Sequence, residues 1–134
     1  IGVIVAFGFS FVSGAIWFGP KTFYPIWMKE RGIASGQLNA NQNKPVLLFG
    51  GTILGIIAQT LTVALVITSL QHAGTEVSVA AGAGIGLALG LGIGAFASLS
   101  HRLFGGESLK VWIIETANDV INVTIAGAII AFFN

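Results

Sequence analysis

Four polar side chains near the end of the chain have the types and spacing to do chemistry. Glu115, Asn118, Asp119 and Asn122 stand at i, i+3, i+4 and i+7 within the apolar run Val111–Phe133, which places them on one face of a helix. With helix entry near Val111, Asp119 lies about 12 Å along the axis, close to the middle of a bilayer. A carboxylate at that depth costs about 2.5–3.5 kcal/mol on insertion scales. It persists if it is protonated, paired with a cation, or facing water. Glu115 sits one turn nearer the entry and can lean toward the headgroups. Two carboxylates one turn apart repel, which favours one shared proton. Two chemistries follow. The stripe lines a path for protons or cations, or it is a hydrogen-bonded network that holds helices together.

Few side chains are placed to partner the stripe. Gln59, with Thr60 and Thr62, lies midway in the second apolar run, and Ser10 and Ser13 lie in the first. Arg102 reads as an anchor at the end of the third run, from which it can also snorkel to Glu115. His101 reads as interfacial decoration, with a proton relay to Glu115 as the alternative. His72 lies in the opposite turn. With no cysteine and only two histidines, expected at opposite membrane faces, no metal site is expected. No serine–histidine–acid set can be assembled. The sequon Asn122-Val123-Thr124 falls inside a helix, and the glycine-rich third run lacks the GK[ST] of a phosphate loop. No catalytic residue and no cofactor are expected, and enzyme activity has no support.

The elements that must position these residues follow from composition. Of 134 residues, 54% are hydrophobic and 8% charged, against roughly 25% charged in a soluble domain. Mean hydropathy is +0.90. Such a chain cannot cover a water-exposed surface, and lipid removes the need. Four runs, Ile1–Gly19, Val46–Leu70, Val77–Ser100 and Val111–Phe133, have roughly the 20 residues a membrane helix takes. They are too long, and alternate too little, for barrel strands. The first run is longer than a signal-peptide core and ends in aromatic residues and Pro20 without a small-residue cleavage site, so it reads as a membrane helix. The expected fold is all-α: one domain over 1–134, a polytopic protein with four transmembrane helices.

Charge sets the expected orientation. Lys21, Lys29, Arg31 and Lys44 fall in loop 20–45, Arg102 and Lys110 in loop 101–110, and no Lys or Arg falls in 71–76. The positive-inside rule then makes loops 20–45 and 101–110 cytoplasmic and the termini external. The net charge of +1 is no footprint for nucleic acid. The stretch WFGPKTFYPIWMKER at 17–31 reads as a short interfacial helix in the first cytoplasmic loop, followed by a polar loop over 32–45. Trp17, Tyr24, Trp27, Trp112 and Arg102 read as interfacial anchors.

The third run carries a small-residue ladder of the glycine-zipper kind: Ser78, Gly82, Gly86, Gly90, Gly94 and Ser98. A second row is Ala80, Gly84, Ala88 and Gly92. Such rows let helix backbones approach closely in lipid. One serves packing inside the bundle. Two favour a homo-oligomer, a larger membrane complex or a pore-lining helix.

The order of several motifs resembles a known family. Trp17-Phe18-Gly19-Pro20, then Trp27-Met28-Lys29, His101-Arg102-Leu103-Phe104, Glu107, Lys110-Val111-Trp112 and Asn118 resemble the small bacterial membrane proteins grouped as domain of unknown function seventeen sixty-one. The resemblance implies a four-helix protein of a bacterial inner (cytoplasmic) membrane, and supplies no reaction, cofactor or site residue. The expected role is a structural or accessory membrane subunit. The alternative is a proton- or cation-conducting channel or transporter that uses Glu115 and Asp119.

Overall fold

The computed structural model describes residues 1–19, 22–30 and 45–134, with the backbone alone at Tyr24, Met28, Glu30, Pro45 and Leu48. The described elements are all helices: α1 Gly2–Trp17, α2 Tyr24–Glu30, α3 Pro45–His72, α4 Val79–Phe104 and α5 Leu109–Phe133. Helix α4 is α-helical over Val79–Leu89 and Phe96–Phe104 and π-helical between them, over Gly90–Ala95. Phe49–His72, Val79–Phe104 and Leu109–Phe133 are long and apolar enough to cross a membrane. Helix α1 is apolar but has only 16 residues. It stops short of the expected Gly19, because the last turn tightens: Gly19 N–H donates to Ile16 O at 3.0 Å. The polar loop expected at 32–45, up to Asn43–Lys44, lies outside the described residues, as do Pro20, Lys21 and Arg31.

Local chemistry sets the helix ends. Ser78 and Ser108 cap α4 and α5, each hydroxyl accepting from the backbone N–H three residues on, Ala81 at 3.1 Å and Val111 at 3.2 Å. Both tight reversals use a glycine in the left-handed region, Gly74 at φ 86° and Gly106 at φ 81°. Each is followed by a bond that closes the preceding helix, Thr75 N–H to Leu70 O at 2.9 Å and Glu107 N–H to Arg102 O at 3.0 Å. These short turns force α3, α4 and α5 into an antiparallel meander.

Helix α5 is the hub, packed against α1, α3 and α4. Its closest approach is to α4. A methyl group at Gly82 would collide with the Gly127 carbonyl, one at Gly86 with the Val123 carbonyl, and one at Gly127 with the Gly82 carbonyl. At Gly90 it would meet Val120 Cα at 3.2 Å. Gly94 touches no other described helix: it lines the space between α3 and α5, and the nearest described atom is the Leu89 carbonyl of its own helix, at 3.9 Å. Ala80, Gly84, Ala88 and Gly92 lie exposed on the outer face. One row is therefore used within the chain and the other is left open.

The apolar core, Ala6, Val63, Ile67, Val123, Ala126 and Ile130, sits toward the end that holds both termini. Helix α3 joins it through Thr60, Val63 and Ile67, all buried. Before Thr60, α3 swings away. Val46, Leu47, Phe49 and Leu54 are exposed, and no described residue approaches within 4 Å of a methyl placed at Gly50, Gly51 or Gly55. That divergence opens the bundle beside the polar stripe.

Candidate functional site

At the end of the bundle away from the termini, Glu115 is a tie between three helices. Its Oε2 pairs with Arg102 Nη2 of α4 at 2.8 Å, and its Oε1 accepts from Trp27 Nε1 of α2 at 2.9 Å. Arg102 Nη1 also holds Glu107 Oε2 at 2.9 Å. One guanidinium thus serves two carboxylates, and both oxygens of Glu115 are engaged. Arg102 is more than a headgroup anchor, since its planar fork offers several parallel donors. His101 is exposed at this end.

The other tryptophans also turn their indole N–H groups inward. Trp17 donates to the Ile114 carbonyl at 2.9 Å. Trp112 donates to the Ala95 carbonyl at 3.0 Å and to Ser98 Oγ at 3.2 Å. Ala95 ends the π segment, where the change of hydrogen-bond register leaves carbonyls in need of side-chain donors. The side chain of Tyr24, the remaining aromatic anchor, lies outside the described residues.

Further along α5 the stripe changes character. Asn118 is buried, and its Oδ1 accepts from Ser13 Oγ over a long 3.4 Å. Asn122 is 5% exposed, and its Oδ1 is enclosed with no hydrogen-bond partner among the described residues. Asp119 is exposed on the protein surface, and among the described residues it has no hydrogen bond or ion pair. The partners expected for it do not reach. Thr60 and Thr62 spend their hydroxyls on their own helix, on Ile56 O at 2.7 Å and Ala58 O at 2.8 Å. Among the described residues no bond joins Asp119 to Gln59 of α3, nor to Asn118 or Asn122 of its own helix, whose buried amides turn into the bundle while Asp119 is exposed.

Two cavities flank Asp119. One, of about 410 Å³, lies between α3, the π segment of α4, and α5; Gln59, Ser98, Arg102, Glu115 and Thr116 line it. The other, of about 420 Å³, lies between α1, α3 and α5; Ser10, Gln59, Asn118 and Asn122 line it with Phe11, Phe18 and Phe49. Gln59 and Asp119 line both, so they form the wall between them. Clefts of this size between helices hold small molecules. Among the described residues, no three His, Cys, Asp or Glu side chains gather as a metal site would need.

Two participants escaped the reading of the sequence. Gly127 makes the closest α4–α5 contact possible, and its signal was there in the small pair Gly127 and Ala131, four apart on α5. Glu107 shares Arg102; nothing in the spacing singled it out as a partner.

The fold and the cleft define a class: an all-helical protein with helices able to cross a membrane and a polar site between them. The family described as Protein of unknown function (DUF1761) matches residues 1–131, and the chain belongs to that family. No curated protein and no solved structure matches it.

Proposed function

We propose that the chain is a multi-pass integral membrane protein, one four-helix bundle over 1–134, that takes up a proton or small cation at Asp119. One observation carries this: Asp119 lacks a protein partner among the described residues and lines two cavities. A carboxylate that glues helices has its oxygens occupied, as those of Glu115 are. An unpartnered one at mid-membrane needs a proton, a cation or water.

The finer parts of this reading rest on geometry. Helix α1, about 24 Å long, runs beside α5 from Gly2 at Ile130 to Trp17 at Ile114, so it covers most of the depth of a helix long enough to span. Local thinning of the bilayer accommodates the rest at small cost. Helix α2 carries exposed Ile26 and Lys29, as a helix lying in the interface would. The orientation follows the basic loops, with 20–45 and 101–110 cytoplasmic in a bacterial inner membrane. The open row Ala80, Gly84, Ala88 and Gly92 fits a second copy of the chain, and a conducting path between copies suits so small a bundle. The Arg102–Glu115–Trp27 tie favours a second reading for that part of the stripe, structural support alone.

Flux through reconstituted vesicles tests the proposal. Wild-type protein should carry protons or monovalent cations, and Asp119→Asn should stop it while assembly stays intact. No flux from either form, with both assembled, would leave the structural or accessory reading.

A further inference from the structure

The cavity between α1, α3 and α5 is built for more than a bare ion. Its rim and walls include Phe11, Phe18 and Phe49, and its floor carries Ser10, Asn118 and Asn122, each about 5% exposed. The buried Oδ1 of Asn122 is an acceptor with no donor among the described residues. Leaving such a group unpaired costs about 1–3 kcal/mol. A lipid acyl chain filling the space would leave that cost standing, whereas a molecule bearing a donor would remove it.

Charge narrows the choice. Asp119 lines the cavity, and among the described residues no Lys, Arg or His does. An anionic guest would meet a carboxylate with no counter-charge, and a neutral one would leave the carboxylate unpaired. A cationic donor pairs with Asp119 directly and with Asn122 once that enclosed amide turns into the cavity, and phenylalanine faces attract a cation. The volume, about 420 Å³, exceeds what a dehydrated metal ion fills and lies in the range of small-molecule sites. The entrance faces sideways. Phe49 is 67% exposed at the edge, and α3 presents Gly50, Gly51 and Gly55 there with no described residue packed on them. A molecule already dissolved in the bilayer meets this gap first.

We propose that this cavity binds a lipophilic organic cation, with its ammonium head at Asp119 and Asn122 and its apolar body among Phe11, Phe18 and Phe49. The inference rests on Asp119 being an ionisable intramembrane site and adds the class of molecule it takes.

The test uses the full chain in nanodiscs of zwitterionic lipid, with empty discs subtracted. The probes are phenylbutylamine and phenylbutanol, which share a body and differ in the charged head. Calorimetry should give saturable binding of the amine, with the alcohol about tenfold weaker or worse. Asp119→Asn should weaken the amine about tenfold and bring it near the alcohol. Asn122→Ala should weaken it about fivefold through the lost acceptor. Phe49→Ala, at an exposed position that the fold does not need, should weaken it about threefold. Equal binding of amine and alcohol overturns the proposal, as does amine uptake that never saturates or that all three variants leave unchanged. Flux that depends on Asp119, without saturable amine binding, sinks this inference and leaves the ion-site reading standing. Saturable amine binding without ion flux sinks the flux and supports the cation pocket.

Discussion

Asp119 and Glu115 are one helical turn apart on the same face and live in different chemistry. Glu115 has both oxygens engaged, by Arg102 and by Trp27, while Asp119 has neither engaged by a described residue. The difference predicts different responses to neutralisation. Arg102→Ala leaves Glu115 and Glu107 facing each other without their shared cation, and should lower stability by about 1–3 kcal/mol. Adding Glu115→Gln to that variant should restore part of the loss, because the orphaned charge is gone. Denaturation in detergent, followed by tryptophan emission, measures both. A double variant no better than the single would mean that the pair contributes nothing. Asp119→Asn should leave stability within about 0.5 kcal/mol of wild type, since it breaks no bond to a described residue.

At the scale of elements, the contact between α4 and α5 is the tightest in the molecule. It depends on glycine from both sides. Gly82 and Gly127 each leave room only for the other's carbonyl, so Gly82→Leu or Gly127→Leu should abolish correctly folded protein, read as loss of a monodisperse peak in detergent. Gly84→Leu is the control, because it faces outward into open space. It should keep the monomer fold, and if a second copy docks on that row it should shift the particle to lower mass. Normal folding of Gly82→Leu would refute the packing. The π segment is the other feature at this scale. Trp112 and Ser98 both donate to the Ala95 carbonyl at its end, so Trp112→Phe, which keeps an aromatic ring but removes the donor and part of the indole, should cost about 1–3 kcal/mol.

At the scale of the molecule, the packed core lies toward the termini and the open cleft toward the basic end. Helix α3 crosses from one region to the other, tightly held at Val63 and Ile67, with Val46, Leu47, Phe49 and Leu54 exposed before Thr60. Membrane orientation is predicted from the basic residues at the cleft end, among them Lys29, Arg102 and Lys110. Cysteines placed at Thr75 and His101, both exposed, report it with an impermeant maleimide applied to intact cells. Labelling at 75 and protection at 101 is the expected pattern, and the reverse would invert the topology.

Much of this was legible in the residues alone, because it is local. Helix type follows from apolar runs about 20 residues long. The grouping of Glu115, Asn118, Asp119 and Asn122 on one face follows from the helical repeat, and the small faces of α4 from four-residue spacing. The family could be read from the order of its motifs. What the tertiary structure alone decided is which faces meet. The α3 divergence leaves Asp119 without Gln59 as a partner, and it opens two cavities beside a stripe that the residues alone allowed to be either a path or a hydrogen-bonded network. Arg102 reaches Glu115 because α4 ends, turns at Gly106 and returns as α5 at the right height. Gly82 finds Gly127 only at one crossing of the two helices. A sequence repeat states which side chains share a face. Crossing angle, depth and separation belong to pairs of helices, and they depend on every contact that the bundle makes at once.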